Sequence, residues 1–213
     1  MSAWAIVVAA GGGTRFGGRK QFHELAGGRV VDRSVAAARA AVEGTVVVLP
    51  SGYEWDGSPV DAAVGGGDTR AASVRAGLDA VPLSVDIIVV HDAARPLASA
   101  ELFRSVIGAV ASGADGAIPA VPLADTIKRV EGSRAVETLA RDTLVAVQTP
   151  QAFRAEFLRR AHRCGGEATD DAAMVEADGG VVVVVPGEVS NRKITTPGDL
   201  EIAAYILSEQ ARR

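Results

Sequence analysis

The chain has 213 residues, of which 48% are apolar and 23% are charged, and its formal net charge at pH 7 is −4. This length suits one domain with a full hydrophobic core. The negative net charge argues against non-specific binding to nucleic acid. The single cysteine, Cys164, excludes an intrachain disulfide and a zinc site built from cysteines. No apolar run reaches the roughly 18 residues of a transmembrane helix, and the N-terminus lacks a signal-peptide pattern. We therefore expect a soluble, cytoplasmic protein that uses neither nucleic acid nor membrane as a partner.

Apolar runs alternate with helical patterns along the chain. Short runs that are rich in β-branched residues and apolar on both faces predict parallel strands. They lie at residues 4–10, 45–49, 87–91, 116–121 and 181–185, and a further short run at 145–147 leads into Gln148. Helical patterns lie at residues 31–42, 71–80, 100–112, 154–164, 170–178 and 199–209. We predict an α/β fold with a Rossmann-like open, mostly parallel sheet and helices on both faces.

Polar residues next to the predicted helices suggest where these helices begin. Ser99 is predicted to cap the third helix and Thr169 the fifth, because a hydroxyl oxygen accepts a hydrogen bond from the first turn. Pro197 suits the first turn of the last helix.

Residues 126–130 and 134–138 depart from the alternation of buried strands and helices. In both segments, polar and apolar residues alternate as in the two strands of a β-hairpin. An isolated hairpin is only marginally stable, so this one needs a surface to pack on. A second copy of the chain is the simplest candidate. We therefore expect a single domain over residues 1–213, with a dimerisation arm inserted at about 122–145.

The segment after the first strand, residues 9–21, is rich in glycine and in basic side chains. Glycines let the backbone approach a charged ligand, and successive N–H groups form an anion-binding concavity. Arg15, Arg19 and Lys20 add positive charge. The segment matches neither a P-loop nor a dinucleotide-binding loop. It predicts a phosphate site, most simply for a nucleotide, with a flexible turn as the alternative.

Other polar residues follow the strands at their carboxyl ends, where open α/β sheets bind ligands. We predict that Asp92 binds Mg²⁺ together with phosphate oxygens, the alternative being a helix cap or an ion pair with Arg95. His91 is predicted to be a packed, hydrogen-bonded residue. The segment Gly66-Gly67-Asp68 would let a base lie against the backbone, unless it is an ordinary turn.

Seven segments, taken together and in order, carry a family resemblance that covers nearly the whole chain. They are Ala9-Ala10-Gly11 with Arg15 and Lys20-Gln21, Gly66-Gly67-Asp68 with Arg70 and Ser73, His91-Asp92-Ala93-Ala94-Arg95-Pro96, Asp125-Thr126-Ile127-Lys128, Gln148-Thr149-Pro150-Gln151, Thr169-Asp170-Asp171-Ala172 and Lys193-Ile194-Thr195. The set resembles the 2-C-methyl-D-erythritol 4-phosphate cytidylyltransferases of the non-mevalonate isoprenoid pathway. Ribitol-phosphate cytidylyltransferases share most of these motifs.

The resemblance implies a nucleotidyltransferase that moves CMP from CTP to 2-C-methyl-D-erythritol 4-phosphate and releases pyrophosphate. It implies a Mg²⁺ ion, or another divalent cation, on Asp92, and an arm that reaches the active site of a partner subunit. The implied nucleotide-binding residues are Ala9, Ala10, Gly11, Gly67, Asp68 and Ser73. The implied catalytic residues are Arg15, Lys20 and Lys193. The implied substrate-binding residues are Arg95, Thr126, Arg141, Thr169 and Lys193.

Two departures from the family pattern accompany this resemblance. The loop between Arg15 and Lys20 is shorter than is usual in the family, and Arg19 stands where a proline usually precedes the lysine. Two alternative functions stay open: transfer to ribitol 5-phosphate or another polyol phosphate, and nucleotide binding without catalysis. The short loop favours the non-catalytic reading, whereas the retention of the basic residues and Asp92 argues against it.

Overall fold

The fold is given by a computed structural model that describes residues 1–13, 16–163 and 170–212. The strands of these residues are β1 (Ala3–Val8), β2 (Gly44–Leu49), β3 (Ala62–Gly65), β4 (Ile87–Asp92), β5 (Gly116–Pro122), β6 (Lys128–Glu131), β7 (Arg134–Thr138), β8 (Val145–Val147), β9 (Gln151–Arg154) and β10 (Val182–Pro186). The helices are α1 (Val30–Arg39), α2 (Arg70–Ala80), α3 (Ala100–Ala111), α4 (Ala155–Arg163), α5 (Asp171–Ala177) and α6 (Pro197–Ala211).

Within the described ranges, eight strands form one mostly parallel sheet, which confirms the predicted α/β class. Its order is β10-β5-β9-β4-β1-β2-β3, and β8 also pairs with β5. Strands β1, β2, β3 and β4 are parallel to one another, and β10 is parallel to β5. Strand β9 runs antiparallel between β4 and β5, and β8 is antiparallel to β5.

The alternation of side chains along β1 shows why the sheet is covered on both faces. Ala3, Ala5 and Val7 point to one apolar layer, formed with α1 and α3, whereas Ile6 points to the other, formed with α2, α4 and α5. Successive residues of a strand face opposite sides, so a strand buried on both sides must be apolar throughout. The run that begins the chain therefore folds as a central strand.

Several predicted boundaries differ from the observed ones. Strand β1 ends at Val8, so the next two residues belong to the glycine-rich loop. Strands β3 and β9 were not predicted, and β9 takes Arg154, which the periodicity assigned to a helix. The prediction that Thr169 caps the fifth helix is wrong. Asp170 is the cap, and its carboxylate accepts from the N–H of Ala173, while Thr169 itself lies outside the described residues.

Two other predictions about helix starts are confirmed. Ser99 caps α3 by accepting from the N–H of Leu102. Pro197 begins α6, and Thr196 caps it. The Thr196 side chain accepts from the N–H of Asp199, and the Asp199 carboxylate accepts from the N–H of Thr196. None of the helices in the described part of the chain is long and apolar enough to cross a membrane.

The predicted hairpin is confirmed, although its first strand, Lys128–Glu131, begins two residues later and ends one residue later than predicted. Strands β6 and β7 form a separate two-stranded sheet. Every side chain of β6 is exposed, including Val130 at 59%. The hairpin thus adds little to the core of its own chain.

Candidate active site

A cleft of about 290 Å³ opens at the carboxyl ends of β1 and β4. We call it the glycine-loop cleft. Its lining includes nine of the residues that the sequence singled out: Ala9, Ala10, Gly11, Lys20, Gly67, Asp68, Ser73, Asp92 and Lys193. The structure therefore brings together residues from both ends of the chain. Their individual roles stay predictions, and Arg15 lies outside the described residues.

The glycine-rich loop is held by a turn of its own and by one buried amide. Gly13 has φ of +68°, and a Cβ there would lie 1.9 Å from the carbonyl oxygen of Gly18, so only glycine fits. The Gln21 side chain is buried, and its Nε2 donates to the carbonyl oxygens of Ala9 (2.6 Å) and Gly11 (2.9 Å). These bonds fix the start of the loop beside Lys20.

Aromatic contacts support the other side of this loop. The guanidinium of Arg19 lies over the ring of Tyr53, with Cζ 4.4 Å from the ring centroid. The ring of Phe22 stacks on the same tyrosine at 5.0 Å. Arg19 thus contacts an aromatic side chain of its own chain.

The opposite wall of the cleft is closely packed backbone. A Cβ at Gly66 would lie 2.5 Å from Cβ of Ala10 and 2.7 Å from Oγ of Ser73. Ser73 donates to the carbonyl oxygen of Thr69 (2.9 Å), whose hydroxyl caps α2. The glycine is therefore required for close approach between the two loops that line the cleft.

Asp92 is the buried carboxylate at the centre of the site. Its Oδ2 accepts from Nζ of Lys193 (2.6 Å), and its Oδ1 accepts from Nε of Arg70 (3.3 Å). Burial alone would raise the pKa of Asp92, but Lys193 and Arg70 outweigh it and hold the pKa well below its usual value. The carboxyl is therefore ionised at neutral pH. Its ion-pair partners are these two residues rather than Arg95, which the sequence offered as an alternative.

His91 is fully buried on the opposite face of the sheet, against Phe103, which confirms that it is a packed residue. Its Nε2–H donates to the carbonyl oxygen of Arg95 (3.2 Å), so Nδ1 is the acceptor for the Thr149 hydroxyl (3.1 Å). The same hydroxyl accepts from the N–H of Asp92 (3.0 Å). Burial lowers the pKa of His91 to about 4. The neutral ring thereby fixes the backbone at Asp92.

A second cleft, of about 210 Å³, adjoins the first and shares Arg70, Asp92 and Lys193 with it. We call it the Arg95 cleft, and its other lining residues are Arg95, Val147, Gln148, Thr149, Gln151 and Asp170. Nη1 of Arg95 donates to the carbonyl oxygen of Asn191 (2.8 Å). The two clefts could hold two ligands on either side of Asp92.

The remaining predicted substrate-binding residues are not brought to this site within one chain. Thr126 and Arg141 lie on the arm, and neither is among the described residues that line the two clefts. Arg141 donates to the carbonyl oxygen of Ala124 (2.5 Å), at the base of the arm. Thr169 lies outside the described residues.

The sequence assigned no role to several residues of the site, three of which make contacts that hold it together. Arg70 lines both clefts, Gln21 anchors the loop, and Thr149 joins His91 to the backbone of Asp92. All three stand in the motifs that carry the resemblance, which was the available signal. Their partners are distant in sequence, so the motifs alone did not reveal what they contact.

The chain is similar to known proteins over nearly its whole length. The family model described as IspD: 2-C-methyl-D-erythritol 4-phosphate cytidylyltransferase matches residues 3–209. A protein of that name from Rubrobacter xylanophilus is 42% identical over 224 residues, which cover 99% of this chain and 97% of the relative. One from Streptomyces coelicolor is 43% identical over 229 residues, covering 97% of this chain and 85% of the relative.

Solved structures agree with the sequence comparison. The crystal structure of 2-C-methyl-D-erythritol 4-phosphate cytidylyltransferase from Thermus thermophilus is similar to this chain, with a TM-score of 0.84 and 36% sequence identity. The match covers 98% of this chain and all of that one. Because the family model matches residues 3–209 and these relatives match nearly the whole chain, the chain belongs to the 2-C-methyl-D-erythritol 4-phosphate cytidylyltransferase family.

Proposed function

We propose that the chain transfers CMP from CTP to 2-C-methyl-D-erythritol 4-phosphate, giving 4-diphosphocytidyl-2-C-methyl-D-erythritol and pyrophosphate in the non-mevalonate isoprenoid pathway. Membership of the cytidylyltransferase family is the support for this reaction. The structural observation that carries the proposal is that the glycine loop, Lys20, Asp92 and Lys193 line one cleft. We place the reaction in the cytoplasm and in a single nucleotidyltransferase domain.

CTP occupies the glycine-loop cleft in this proposal. Backbone N–H groups of the loop bind the triphosphate, because a glycine-rich turn exposes several amides to one anion. The segment around Gly67 and Asp68 and the Ser73 side chain hold cytosine and ribose. The support is that these residues and Ala9 to Gly11 line the same cleft.

The acceptor phosphate lies in the Arg95 cleft, on the other side of Asp92. One of its oxygens attacks the α-phosphorus of CTP, a P–O bond forms, and the bond to the leaving pyrophosphate breaks in line. The attacking oxygen is already anionic, so no general base is needed. Arg15, Lys20 and Lys193 neutralise the charge that develops around the α-phosphate, as expected for a transfer catalysed by positioning and electrostatics.

Asp92 is the residue that would hold Mg²⁺. No group of three His, Cys, Asp or Glu side chains capable of holding a metal occurs in the described part of the chain. A carboxylate that the two clefts share fits Mg²⁺, which binds through one or two carboxylates plus substrate phosphates. The ion would supply neutralisation of phosphate charge there. Lys193 and Arg70 form ion pairs with the same carboxylate.

We further propose a homodimer in which Thr126 and Arg141 bind the acceptor in the neighbouring subunit's active site, together with Arg95, Thr169 and Lys193. The support is the exposed two-stranded arm, which carries Arg141 near its base and pairs only with itself among the described strands. A hairpin of this kind needs a further surface to be stable.

A pyrophosphate-release assay tests the proposal directly. Purified protein is incubated with each of the four ribonucleoside triphosphates, Mg²⁺, and either 2-C-methyl-D-erythritol 4-phosphate or ribitol 5-phosphate. We expect release with CTP and the erythritol compound. Preference for ribitol 5-phosphate would replace the acceptor, and absence of release with every pair would leave a non-catalytic nucleotide-binding protein.

Two substitutions test the residue roles. Arg15→Ala should lower kcat by about 100-fold or more, with a smaller effect on KM for CTP, because it removes a donor to developing charge. Arg104→Ala is the matched control, since Arg104 is exposed on α3 and pairs with Glu101. Asp92→Asn should weaken the dependence of turnover on Mg²⁺. Unchanged turnover in the first case, or an unchanged metal response in the second, would contradict the assigned role.

A further inference from the structure

A buried ion-pair network extends from Asp92 away from both clefts, through residues that the reaction does not use directly. Asp171 is the first residue of α5 and is fully buried. Its Oδ2 accepts from Nη1 of Arg70 (2.7 Å), and its Oδ1 accepts from Nε2 of His162 (2.9 Å). His162 lies on α4 and is 2% exposed. Each carboxylate oxygen of Asp171 therefore has a donor.

Arg70 connects this network to the active site. Its guanidinium donates through Nη1 to Asp171 and through Nε to Asp92, so two carboxylates bind different parts of one planar group. A long, flexible side chain that is bound in this way has a fixed position and orientation. Because Arg70 lines both clefts, that position is the junction of the two predicted ligand sites.

Stability alone does not account for the network. Burying charged groups costs desolvation free energy, and a buried ion pair is often no more stabilising than apolar side chains of the same volume. Asp171 could favour the helix start from an exposed position, since Asp170 already caps α5. The network instead links a buried imidazole, through a buried carboxylate, to one guanidinium, and that guanidinium contacts the proposed metal ligand.

We propose that Asp171 and His162 are positioning residues for CMP transfer. They hold Arg70 against Oδ1 of Asp92, and thereby keep the Asp92 carboxylate facing both clefts, ready for a divalent cation. The inference rests on the proposed function for its kinetic consequences. The effect on cation binding is separate, because it requires only that Asp92 bind a divalent cation.

The central test is Asp171→Asn, which keeps the volume of the side chain and removes the charge that holds Arg70. We expect kcat to fall by about 10- to 100-fold, the usual effect of losing a partner that orients a metal ligand. KM for CTP should stay within about 2-fold, because the base and ribose contacts are untouched. Mn²⁺ affinity, measured by electron paramagnetic resonance of the free ion with and without CTP, should fall by about 10-fold.

Variants of His162 provide a rescue experiment that leaves the charge of Asp171 in place. His162→Leu removes the donor to Asp171, and we expect the same changes with smaller size. His162→Gln restores an N–H donor and should recover most of the Mn²⁺ affinity and kcat. This pair decides the question if Asp171→Asn does not fold.

Asp178→Asn is the matched control. It removes the charge of Asp178 from the Arg160–Asp178 ion pair (2.5 Å), which joins α4 to the residue that follows α5 and lies outside both clefts. We expect wild-type kcat and Mn²⁺ affinity. Wild-type behaviour of a folded Asp171→Asn protein, or equal behaviour of the two His162 variants, would overturn the proposal. Absence of turnover in the wild-type protein would refute the proposed function, while Mn²⁺ binding would still test the positioning.

Discussion

Replacing His91 by glutamine removes a buried imidazole ring. Burial lowers the pKa of this ring from the ordinary 6.5 to about 4. Because the folded pKa is the lower one, the unfolded chain binds a proton between these two pH values that the folded chain does not bind. Stability is therefore complete above about pH 6.5 and falls as the pH decreases toward 4. The two pKa values give a loss of about 2 kcal/mol between pH 7.5 and pH 5.

The assay is equilibrium unfolding in urea at these two pH values, with EDTA present to remove divalent cations. The free energy of unfolding should decrease by about 2 kcal/mol more in the wild-type protein than in His91→Gln. Asp92, whose pKa lies well below its usual value, stays ionised in the folded protein at both pH values and cancels in the comparison. An equal decrease in both proteins, with unchanged m-values, would refute the inference that burial keeps the His91 ring neutral in the folded protein.

Three further predictions concern the loop, the wall of the cleft and the arm. Gly66→Ala should cost about 1–3 kcal/mol of stability by overpacking and raise KM for CTP, whereas Gly108→Ala, with open space around its Cβ position, should not. Tyr53→Leu should raise KM for CTP by about 2- to 5-fold through loss of the cation–π contact, and Tyr53→Phe should not; equal KM values would contradict this. Arg141→Ala should raise KM for the acceptor, and mixing it with Arg15→Ala subunits should restore turnover if sites are shared; no recovery would argue against sharing.

The sheet was largely predictable from the sequence because its central strands are buried on both faces. Runs such as residues 45–49 and 87–91 have few polar positions to satisfy, so their pattern leaves few alternatives. Strands β3 and β9 were missed because each has only four residues, and short runs carry little periodicity.

The candidate site was predictable in its residues and less so in its contacts. The glycine loop and Asp92 follow strands at the edge where ligands bind, so their convergence follows from the fold class. The contact of Arg70 with Asp171 joins residues 101 positions apart, and no local pattern encodes it. The same holds for His91 and Thr149, whose pairing depends on the unpredicted strand β9.

Strand β9 also determines how wide the reaction centre is. It lies between β4 and β5, so these two strands are separated by two interstrand spacings, roughly 10 Å, instead of one. Because β9 runs the opposite way, its first residue and the turn before it stand at the edge where its neighbours end. Gln148 and Thr149, in the turn before β9, consequently line the Arg95 cleft. In the proposed function, this spacing leaves room for a donor nucleotide and an acceptor on either side of Asp92.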